Sequence, residues 1–241
     1  MRKHLVDMPL TYGVVGWIGK AMLLVFLGVS PLREAGATET GREVGKEAGD
    51  AVVILALGDS LTQGYGLPEP DGFVPQLEAW LRADGAEVRL INGGVSGDTT
   101  AGGAGRIAWG LTDEVDAVIV ALGGNDFLRG IDPAVSRENL DMILTETGRR
   151  ELPVLLVGMT APGNYGRDYK AQFDAIYPEL AEAHGVLLAE SFFQGLPETD
   201  PDKLREFFQE DGLHPNARGV GRIVEGLGPD VLRLVDEVVA P

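Results

Sequence analysis

Cysteine is absent from this sequence of 241 residues, and histidine occurs only three times. Without cysteine the chain has no disulfide framework, no thiol nucleophile and no thiolate ligand for a metal. Any covalent catalysis must therefore use an oxygen or a nitrogen atom as the nucleophile.

Basic residues are scarce as well. The chain holds 20 lysines and arginines against 37 aspartates and glutamates, which gives a formal net charge of −17 at pH 7. This charge repels polyanions and removes the attraction on which most nucleic-acid binding depends. The sequence therefore predicts no DNA or RNA partner, and it disfavours strongly anionic small substrates.

The first 37 residues have the layout of a signal peptide. Basic residues at 2–4 precede an apolar run over 12–32, and the small residues at 35–37 have the spacing that a signal peptidase requires. The run is nearly long enough to span a bilayer as a retained anchor. Because Lys20 interrupts it, we expect cleavage after Ala37 and export to the periplasm or the medium. Residues 1–37 carry a net charge of +2, so the cleaved chain would carry −19.

The remaining chain reads as a polar leader followed by one domain. Residues 38–49 are rich in Gly and Glu and are expected to be disordered. Over 50–241, apolar runs alternate with longer amphipathic segments, which is typical of an α/β protein with a parallel sheet between helices. With 44% hydrophobic residues, the chain can form one sizeable core but not two large domains. Five strands are predicted, at Val52–Leu57, Val88–Ile91, Val118–Leu122, Val154–Val157 and Val186–Ala189.

The later part of the domain is predicted as a helix, a long acidic loop and a last helix. The aromatic residues of 169–177 recur at helical spacing and are expected to pack in the core. The acidic loop covers 190–210, and Pro215 is expected to open the last helix. Gly228-Pro229 is expected to break or kink that helix.

Sharp turns follow the first three predicted strands. They are Gly58-Asp59-Ser60, a glycine-rich loop with Gly97, and Gly123-Gly124-Asn125-Asp126. The carboxyl ends of parallel strands meet at one edge of a sheet, where such proteins place their chemistry. A Gly-Asp-Ser sequence after a strand is also compatible with a plain turn and a helix N-cap. The convergence of the loops makes Ser60 a candidate nucleophile, whereas Asp59 is expected to support the turn.

The two histidines outside the leader differ in their surroundings. His184 ends a predicted helix just before Gly185, where a partly positive imidazole suits the helix dipole, so a structural role is expected. His214 lies three residues after Asp211, which lets the carboxylate reach Nδ1 while Nε2 faces a serine. The alternative is an Asp-Gly surface turn with an incidental histidine. We interpret His214 as the candidate base for Ser60 and Asp211 as its orienting acid.

Acyl transfer also needs hydrogen-bond donors for the negative oxygen of the tetrahedral intermediate. The candidates are the backbone N–H of Ser60 at a helix N-terminus, the backbone of Gly97, where no Cβ blocks close approach, and the amide of Asn125. The glycine-rich loop lacks the Gly-Lys-Ser/Thr ending of a phosphate-binding loop and the register of a dinucleotide fold. The acidic residues of 200–206 fit no EF-hand, so no metal site is predicted.

Four blocks of the sequence resemble the signature blocks of the SGNH (GDSL) hydrolases, in the same order and with similar separations. They are Gly58-Asp59-Ser60-Leu61, Gly97, Gly123-Gly124-Asn125-Asp126 and Asp211-Gly212-Leu213-His214. The resemblance extends from about Val53 to about Gly219. Segments 95–99, 123–130, 164–166 and 175–178 make it most similar to the bacterial arylesterases and the multifunctional thioesterase/lysophospholipases.

This resemblance implies a flavodoxin-like three-layer α/β/α sandwich with a five-stranded parallel sheet, and no metal or organic cofactor. It implies a catalytic triad of Ser60, Asp211 and His214, with an oxyanion hole formed by Ser60, Gly97 and Asn125. Members of the family are exported in many cases, which agrees with the leader.

The family also implies a function. Its members are serine esterases, so we expect hydrolysis of aryl or short-to-medium acyl esters, lysophospholipids and thioesters through an acyl-enzyme. Acyl-CoA suits this chain poorly, because both are strongly acidic. One alternative within the same enzyme class is deacetylation of extracellular polysaccharide. The other is a non-catalytic lipid- or glycan-binding protein, and an intact triad argues against this second alternative only. The expected partner is a small-molecule ester or lipid, and no stable protein partner is implied.

Apolar residues in the two loops beside the site are predicted to line an acyl pocket. They are Tyr65, Leu67, Phe127, Leu128 and Ile131. Relatives often carry a smaller residue at the position of Phe127, so this residue is expected to alter the shape of the acyl groove.

Overall fold

The computed structural model describes residues 51–197 and 201–240. The predicted signal peptide (1–37) and leader (38–49) lie outside the described residues. Among the residues that the structure describes, no helix is both long enough and apolar enough to cross a bilayer.

Five parallel strands form one sheet in the described part of the chain. They are β1 (Val52–Gly58), β2 (Val88–Gly94), β3 (Ala117–Ala121), β4 (Val154–Val157) and β5 (Leu187–Ala189), in the order β2-β1-β3-β4-β5. Every residue of β1, β3 and β4 is buried, because helices cover both faces of the sheet. The five predicted strands are confirmed, with small shifts at their ends.

The helices form the two outer layers of the sandwich. They are α1 (Ser60–Gln63), α2 (Phe73–Ala83), α3 (Thr100–Gly110), α4 (Gly124–Leu128), α5 (Pro133–Arg149), α6 (Arg167–Asp174), α7 (Ile176–His184), α8 (Pro201–Arg205) and α9 (Ala217–Val239). Two short 3₁₀ helices lie at Glu69–Asp71 and Gly163–Tyr165. Helix α2 packs against α9, and α5 packs against both α3 and α7. The predicted α/β sandwich is therefore present.

The last helix begins later than the sequence suggests. The side chain of Asn216 accepts a hydrogen bond from the backbone N–H of Gly219 at 3.0 Å and caps α9 at Ala217. Pro215 instead pairs with Phe208 in an antiparallel bridge. The expectation that Pro215 opens the helix is wrong, because the asparagine cap fixes the start two residues further on.

Helix α9 also continues through Pro229, so the expected break does not occur. Leu227, Gly228 and Val231 are buried on either side of the proline. A Cβ on Gly228 would lie 2.4 Å from the ring of Trp80 in α2, which shows how closely the two helices pack. This packing outweighs the hydrogen bond that a proline cannot donate.

Two further segments differ from their predictions. The acidic stretch over 190–210 is not a continuous loop, because α8 lies within it. The aromatic stripe spans two helices, α6 and α7, which meet at Ala175. Phe173 and Tyr177 are fully buried, so the interpretation of the stripe as core is confirmed for them.

Candidate active site

A very short turn joins the first strand to the first helix. β1 ends at Gly58 and α1 begins at Ser60, so only Asp59 separates them. Oδ1 of Asp59 accepts a hydrogen bond from the backbone N–H of Leu61 at 3.0 Å and caps the helix. A Cβ on Gly94, at the end of β2, would lie 2.2 Å from a backbone nitrogen of α1. The turn therefore presents Ser60 at the carboxyl edge of the sheet, pressed against the neighbouring strand.

Ser60, His214 and Asp211 form a continuous chain of hydrogen bonds. The Ser60 Oγ lies 2.9 Å from Nε2 of His214, and Nδ1 of His214 lies 2.7 Å from Oδ2 of Asp211. The His214 side chain is 14% exposed and that of Asp211 is 41% exposed. The structure thus brings together the three residues in the arrangement that a nucleophile, its base and an orienting acid require.

Hydrogen bonds keep the Asp211 carboxyl ionised. The ring of His214, the backbone N–H of His214 at 3.0 Å and that of Leu213 at 2.9 Å all donate to it. These bonds, that of the His214 ring first, lower the pKa of Asp211 to about 2. The carboxylate is therefore available to orient the imidazole at any pH above the acid range.

The loop that carries His214 is held by Gln209. The backbone N–H of Gln209 donates to the carbonyl of His214 at 2.8 Å. Its side-chain amide donates to the carbonyls of Tyr65 at 2.8 Å and Pro215 at 3.0 Å, and the rings of Tyr65 and His214 lie 4.6 Å apart. Sequence reasoning missed Gln209, because a glutamine in a polar loop carries no pattern that distinguishes it.

Gly97 and its loop line the same cleft as Ser60. The φ angle of Gly97 is +81°, a left-handed conformation that favours glycine. Its carbonyl accepts a hydrogen bond from Nη2 of Arg129 at 2.7 Å. The preceding residue, Ser96, is hydrogen-bonded through its hydroxyl to the Gln63 side chain. The backbone conformation therefore favours glycine at this position, which is a different reason from the close approach that the sequence suggested.

Asn125 reaches the cleft from α4, where it is anchored by its neighbours. Its Nδ2 donates to Oδ2 of Asp59 at 3.1 Å. The adjacent Asp126 is fully buried and accepts hydrogen bonds from the backbone N–H of Thr100 and the hydroxyl of Ser136, both at 2.9 Å. These bonds join α4 to α3 and α5. The sequence motif contained Asp126, but its partners come from other helices and were not predictable.

A cleft of about 230 Å³ opens beside Ser60 and His214. Tyr65, Phe127 and Leu128 line it, as predicted from the sequence. Leu67 and Ile131 do not, in contrast to their prediction. Leu67 packs against the core and lines a separate cleft, and the Ile131 carbonyl accepts a hydrogen bond from the Tyr169 hydroxyl at 2.8 Å.

Four further apolar residues line the cleft and were missed. They are Leu61, Met159, Phe193 and Leu213. Met159 follows β4 and Phe193 follows β5, so the loops after the later strands complete the wall. The rule that strand ends converge at one edge could have pointed to both segments, but not to the particular side chains.

His184 lies outside this cleft. Its Nε2 is 2.7 Å from Oδ1 of Asp141 on α5, and it ends α7 just before Gly185, which caps the helix in a left-handed conformation. This placement fits the structural role expected from the sequence. In residues 51–197 and 201–240, no group of three or more acidic or histidine side chains is arranged to hold a metal ion.

The fold and the site define a class of protein. A serine after the first strand of a parallel sheet, hydrogen-bonded to a histidine and an aspartate from a loop near the carboxyl end, is the arrangement of an α/β serine hydrolase.

Comparison with known proteins identifies the family within that class. Residues 56–222 match the GDSL-like Lipase/Acylhydrolase family, and the chain belongs to it. AlinE4, an SGNH-hydrolase family esterase of known crystal structure, is 46% identical, with a TM-score of 0.63 over 77% of this chain and 97% of AlinE4. The curated relatives include esterase TesA of Pseudomonas aeruginosa, 33% identical over 77% of this chain and 90% of TesA. The arylesterase of Vibrio mimicus is 35% identical over 75% of this chain and 88% of the arylesterase. The predicted resemblance to the SGNH (GDSL) hydrolases is confirmed.

Proposed function

We propose that this protein hydrolyses carboxylic esters through an acyl-enzyme formed on Ser60. The observation that carries this proposal is the hydrogen-bonded chain from Ser60 through His214 to Asp211, with separations of 2.9 and 2.7 Å. Membership of the GDSL-like Lipase/Acylhydrolase family supports it, as do the names of the esterase and arylesterase relatives.

In the first step, the Ser60 Oγ attacks the carbonyl carbon of the ester while Nε2 of His214 takes the hydroxyl proton. The carbonyl π electrons move to the oxygen, which becomes the oxyanion of a tetrahedral intermediate. Asp211 stabilises the imidazolium through the bond to Nδ1. When the oxyanion collapses, the bond to the alcohol breaks, and His214 returns its proton to the departing alkoxide.

Three hydrogen-bond donors are proposed to stabilise the oxyanion. They are the backbone N–H groups of Ser60 and Gly97 and the side-chain amide of Asn125, and all three residues line the cleft. Preorganised donors stabilise charge that develops in the transition state without any rearrangement during the reaction. The hydrogen bonds from Arg129 to the Gly97 carbonyl and from Asn125 to Asp59 hold two of these residues in place and support this preorganisation.

The second step returns the enzyme to its starting state. A water molecule enters the cleft, His214 takes one of its protons, and the resulting hydroxide attacks the acyl carbon. The second tetrahedral intermediate collapses by breaking the bond to the Ser60 Oγ, which recovers its proton from His214. The products are a carboxylic acid and an alcohol.

The cleft supports small substrates. Its volume of about 230 Å³ lies below the roughly 300–1,000 Å³ of pockets for drug-sized ligands. Its walls are largely apolar, with Tyr65, Phe127, Leu128, Met159 and Phe193 among the lining residues. These properties favour aryl and short-to-medium acyl esters, with lysophospholipids as larger substrates that would extend out of the cleft. Thioesters are open to the same attack, although the acidic chain disfavours acyl-CoA.

The protein is also proposed to act outside the cytoplasm. The support is the sequence of residues 1–37, with its basic start, apolar run and small residues before the cleavage point. Expression of the full chain in a bacterium, followed by N-terminal sequencing of the mature protein, tests this location. A mature chain beginning at Thr38 supports it, and an intact N-terminus in the membrane fraction would show a retained anchor instead.

Hydrolysis of p-nitrophenyl butyrate by a matched pair of histidine variants tests the proposed activity. His214→Ala should lower kcat by about three orders of magnitude or more, because the serine loses its base. His184→Ala removes the other histidine–aspartate contact of the described residues and should leave kcat near the wild-type value. Equal activity in the two variants would overturn the proposal, and so would full activity in Ser60→Ala.

A further inference from the structure

Asp59 is a buried acid within the wall of the cleft. It is 2% exposed, yet it is one of the residues that line the cavity. Its two carboxylate oxygens have different partners: Oδ1 accepts from the backbone N–H of Leu61 at 3.0 Å, and Oδ2 accepts from Nδ2 of Asn125 at 3.1 Å. One side chain therefore links the helix that begins with Ser60 to the helix that carries Asn125.

The second of these bonds fixes the orientation of the Asn125 amide. A carboxylate only accepts hydrogen bonds, so the amide nitrogen must face Asp59, since a flipped amide would oppose its oxygen to the carboxylate. The nitrogen carries two hydrogens, and one of them is used on Asp59. The other is left for a ligand in the cleft. Gly124 leaves room for this contact, because a Cβ there would lie only 3.3 Å from Oδ2 of Asp59.

We propose that Asp59 is a positioning residue for transition-state stabilisation, which holds the Asn125 amide so that its free N–H points to the developing oxyanion. This inference depends on the proposed esterase function and on Asn125 as an oxyanion donor. It goes beyond the support of the turn that the sequence suggested, because the cap needs only Oδ1.

The raised pKa of Asp59 is consistent with a role in positioning Asn125 in addition to capping the helix. Burial raises the pKa of Asp59 to about 6, against the lowering effects of the Leu61 and Asn125 hydrogen bonds and of His214. An ionised carboxylate at this position is thus disfavoured in the folded protein. A serine or threonine would cap the helix equally well without that disadvantage, but its shorter side chain would not span both partners.

Two variants of Asp59 separate its role as a helix cap from its role in positioning Asn125. Asp59→Ser keeps an oxygen for the helix cap but does not reach Asn125. Asp59→Asn keeps the size and the cap, but it offers N–H groups to Asn125 and so favours the flipped amide, whose oxygen would repel the oxyanion. Asp59→Ser, which leaves the amide free to turn, should lower kcat for p-nitrophenyl butyrate by about 10- to 100-fold. Asp59→Asn should lower it by the roughly 10²–10³-fold of a lost oxyanion donor, and KM should stay within about twofold in both variants.

A double-mutant cycle with Asn125→Ala gives the decisive readout. If Asp59 acts through Asn125, adding Asp59→Asn to Asn125→Ala should change kcat by less than about twofold. The matched control is Asp132→Asn. Asp132 caps α5 in the same way, by accepting a hydrogen bond from the backbone N–H of Ala134 at 2.9 Å, but it does not line the cleft. This control should keep the wild-type kcat, and the thermal midpoint of each variant shows that it is folded.

Ser60→Ala is measured beside the cycle to separate the two proposals. An inactive Ser60→Ala supports the esterase proposal whatever the Asp59 variants do. The positioning role of Asp59 is refuted if the losses of kcat from the Asp59 and Asn125 substitutions multiply in the double variant. It is also refuted if the Asp59 variants change only KM or the thermal midpoint. A wild-type kcat in Asn125→Ala refutes the positioning role as well. Full activity in Ser60→Ala refutes the esterase proposal, and the positioning role with it.

Discussion

Asp211 holds His214 by both its backbone and its ring. Oδ1 accepts from the His214 backbone N–H at 3.0 Å, and Oδ2 lies 2.7 Å from Nδ1 of the imidazole. A single carboxylate thus sets the direction of the ring, and Nε2 is left facing the Ser60 Oγ at 2.9 Å. The three-residue spacing of the pair is what allows both bonds to form in one tight turn.

Replacement of this carboxylate by an amide should remove most of the activity. Asp211→Asn keeps an oxygen for the backbone bonds but presents N–H to Nδ1, which favours the tautomer with its proton on Nε2. That tautomer cannot accept the serine proton, so kcat should fall by about 10²–10⁴-fold. The matched control is Asp141→Asn, which alters the contact with His184 outside the cleft and should leave kcat unchanged. An Asp211→Asn enzyme with more than a tenth of wild-type kcat would contradict the assigned role.

The acyl length that the cleft accepts should depend on Phe193. This ring lines the cleft and packs against Phe192 and Phe208 at centroid distances of 5.5 and 6.0 Å. Phe193→Ala enlarges the cavity, so the ratio of kcat/KM for the octanoate ester to that for the butyrate ester should rise about tenfold. Leu67→Ala serves as the control, because Leu67 lies outside the cleft. A shift with Leu67→Ala and none with Phe193→Ala would mean that the acyl chain lies elsewhere.

Gly123 should be essential to stability because of a contact with Tyr177. Its φ is +122°, and a Cβ there would lie 2.1 Å from the Tyr177 hydroxyl, which donates to the Leu122 carbonyl at 2.9 Å. Gly123→Ala should therefore cost about 3 kcal/mol or more in the free energy of unfolding. The loss should be smaller in a Tyr177→Phe background, which lacks the obstructing oxygen. Gly148→Ala, in an open position of α5, should instead stabilise by about 0.5–1 kcal/mol. Chemical denaturation of the wild type, the two alanine variants, Tyr177→Phe and the Gly123→Ala/Tyr177→Phe double variant measures these free energies.

Asp59 should make stability depend on pH between about 4 and 6. Its pKa rises from 3.8 to about 6 on folding, so the folded state binds more protons than the unfolded state in this range. The contribution of Asp59 to stability is thus fully present below pH 3.8 and is lost as the pH rises through about 6, by about 2–3 kcal/mol. The charges of His214 and Asp126 act on Asp59 with opposite signs. Unfolding free energies of wild type and Asp59→Asn at pH 4 and 7.5 measure the effect, and a constant difference between the two proteins would contradict it.

Much of the fold was predictable because buried parallel strands are continuous apolar runs. Val154–Val157 was assigned with both ends correct for that reason. The end of β2 was not, because Gly93 and Gly94 belong to the strand only through their pairing with Leu57 and Gly58. The start of α9 was displaced because Asn216 caps it, and its passage through Pro229 depends on packing against α2. Such features are set by partners that are distant in sequence.

The candidate site was predictable where chemistry fixes the residue type. Acyl transfer needs a nucleophile, a base and an orienting acid. His214 stands out because the chain has only three histidines, Asp211 because it lies three residues before His214, and Ser60 because it follows the first strand. Met159 and Phe193 did not stand out, since an apolar residue after a strand is common. Whether such a residue faces the cleft depends on how its loop folds over the sheet edge.

Covalent labelling of Ser60 tests the central proposal most directly. A fluorophosphonate probe reacts with an activated serine, so the wild-type protein should acquire a single adduct, which peptide mass spectrometry should place on Ser60. Ser96, which also lines the cleft, provides the control: Ser96→Ala should label as the wild type does, and Ser60→Ala should not label. An adduct on Ser96, or ester hydrolysis that persists without any label on Ser60, would contradict the assignment of Ser60 as the nucleophile.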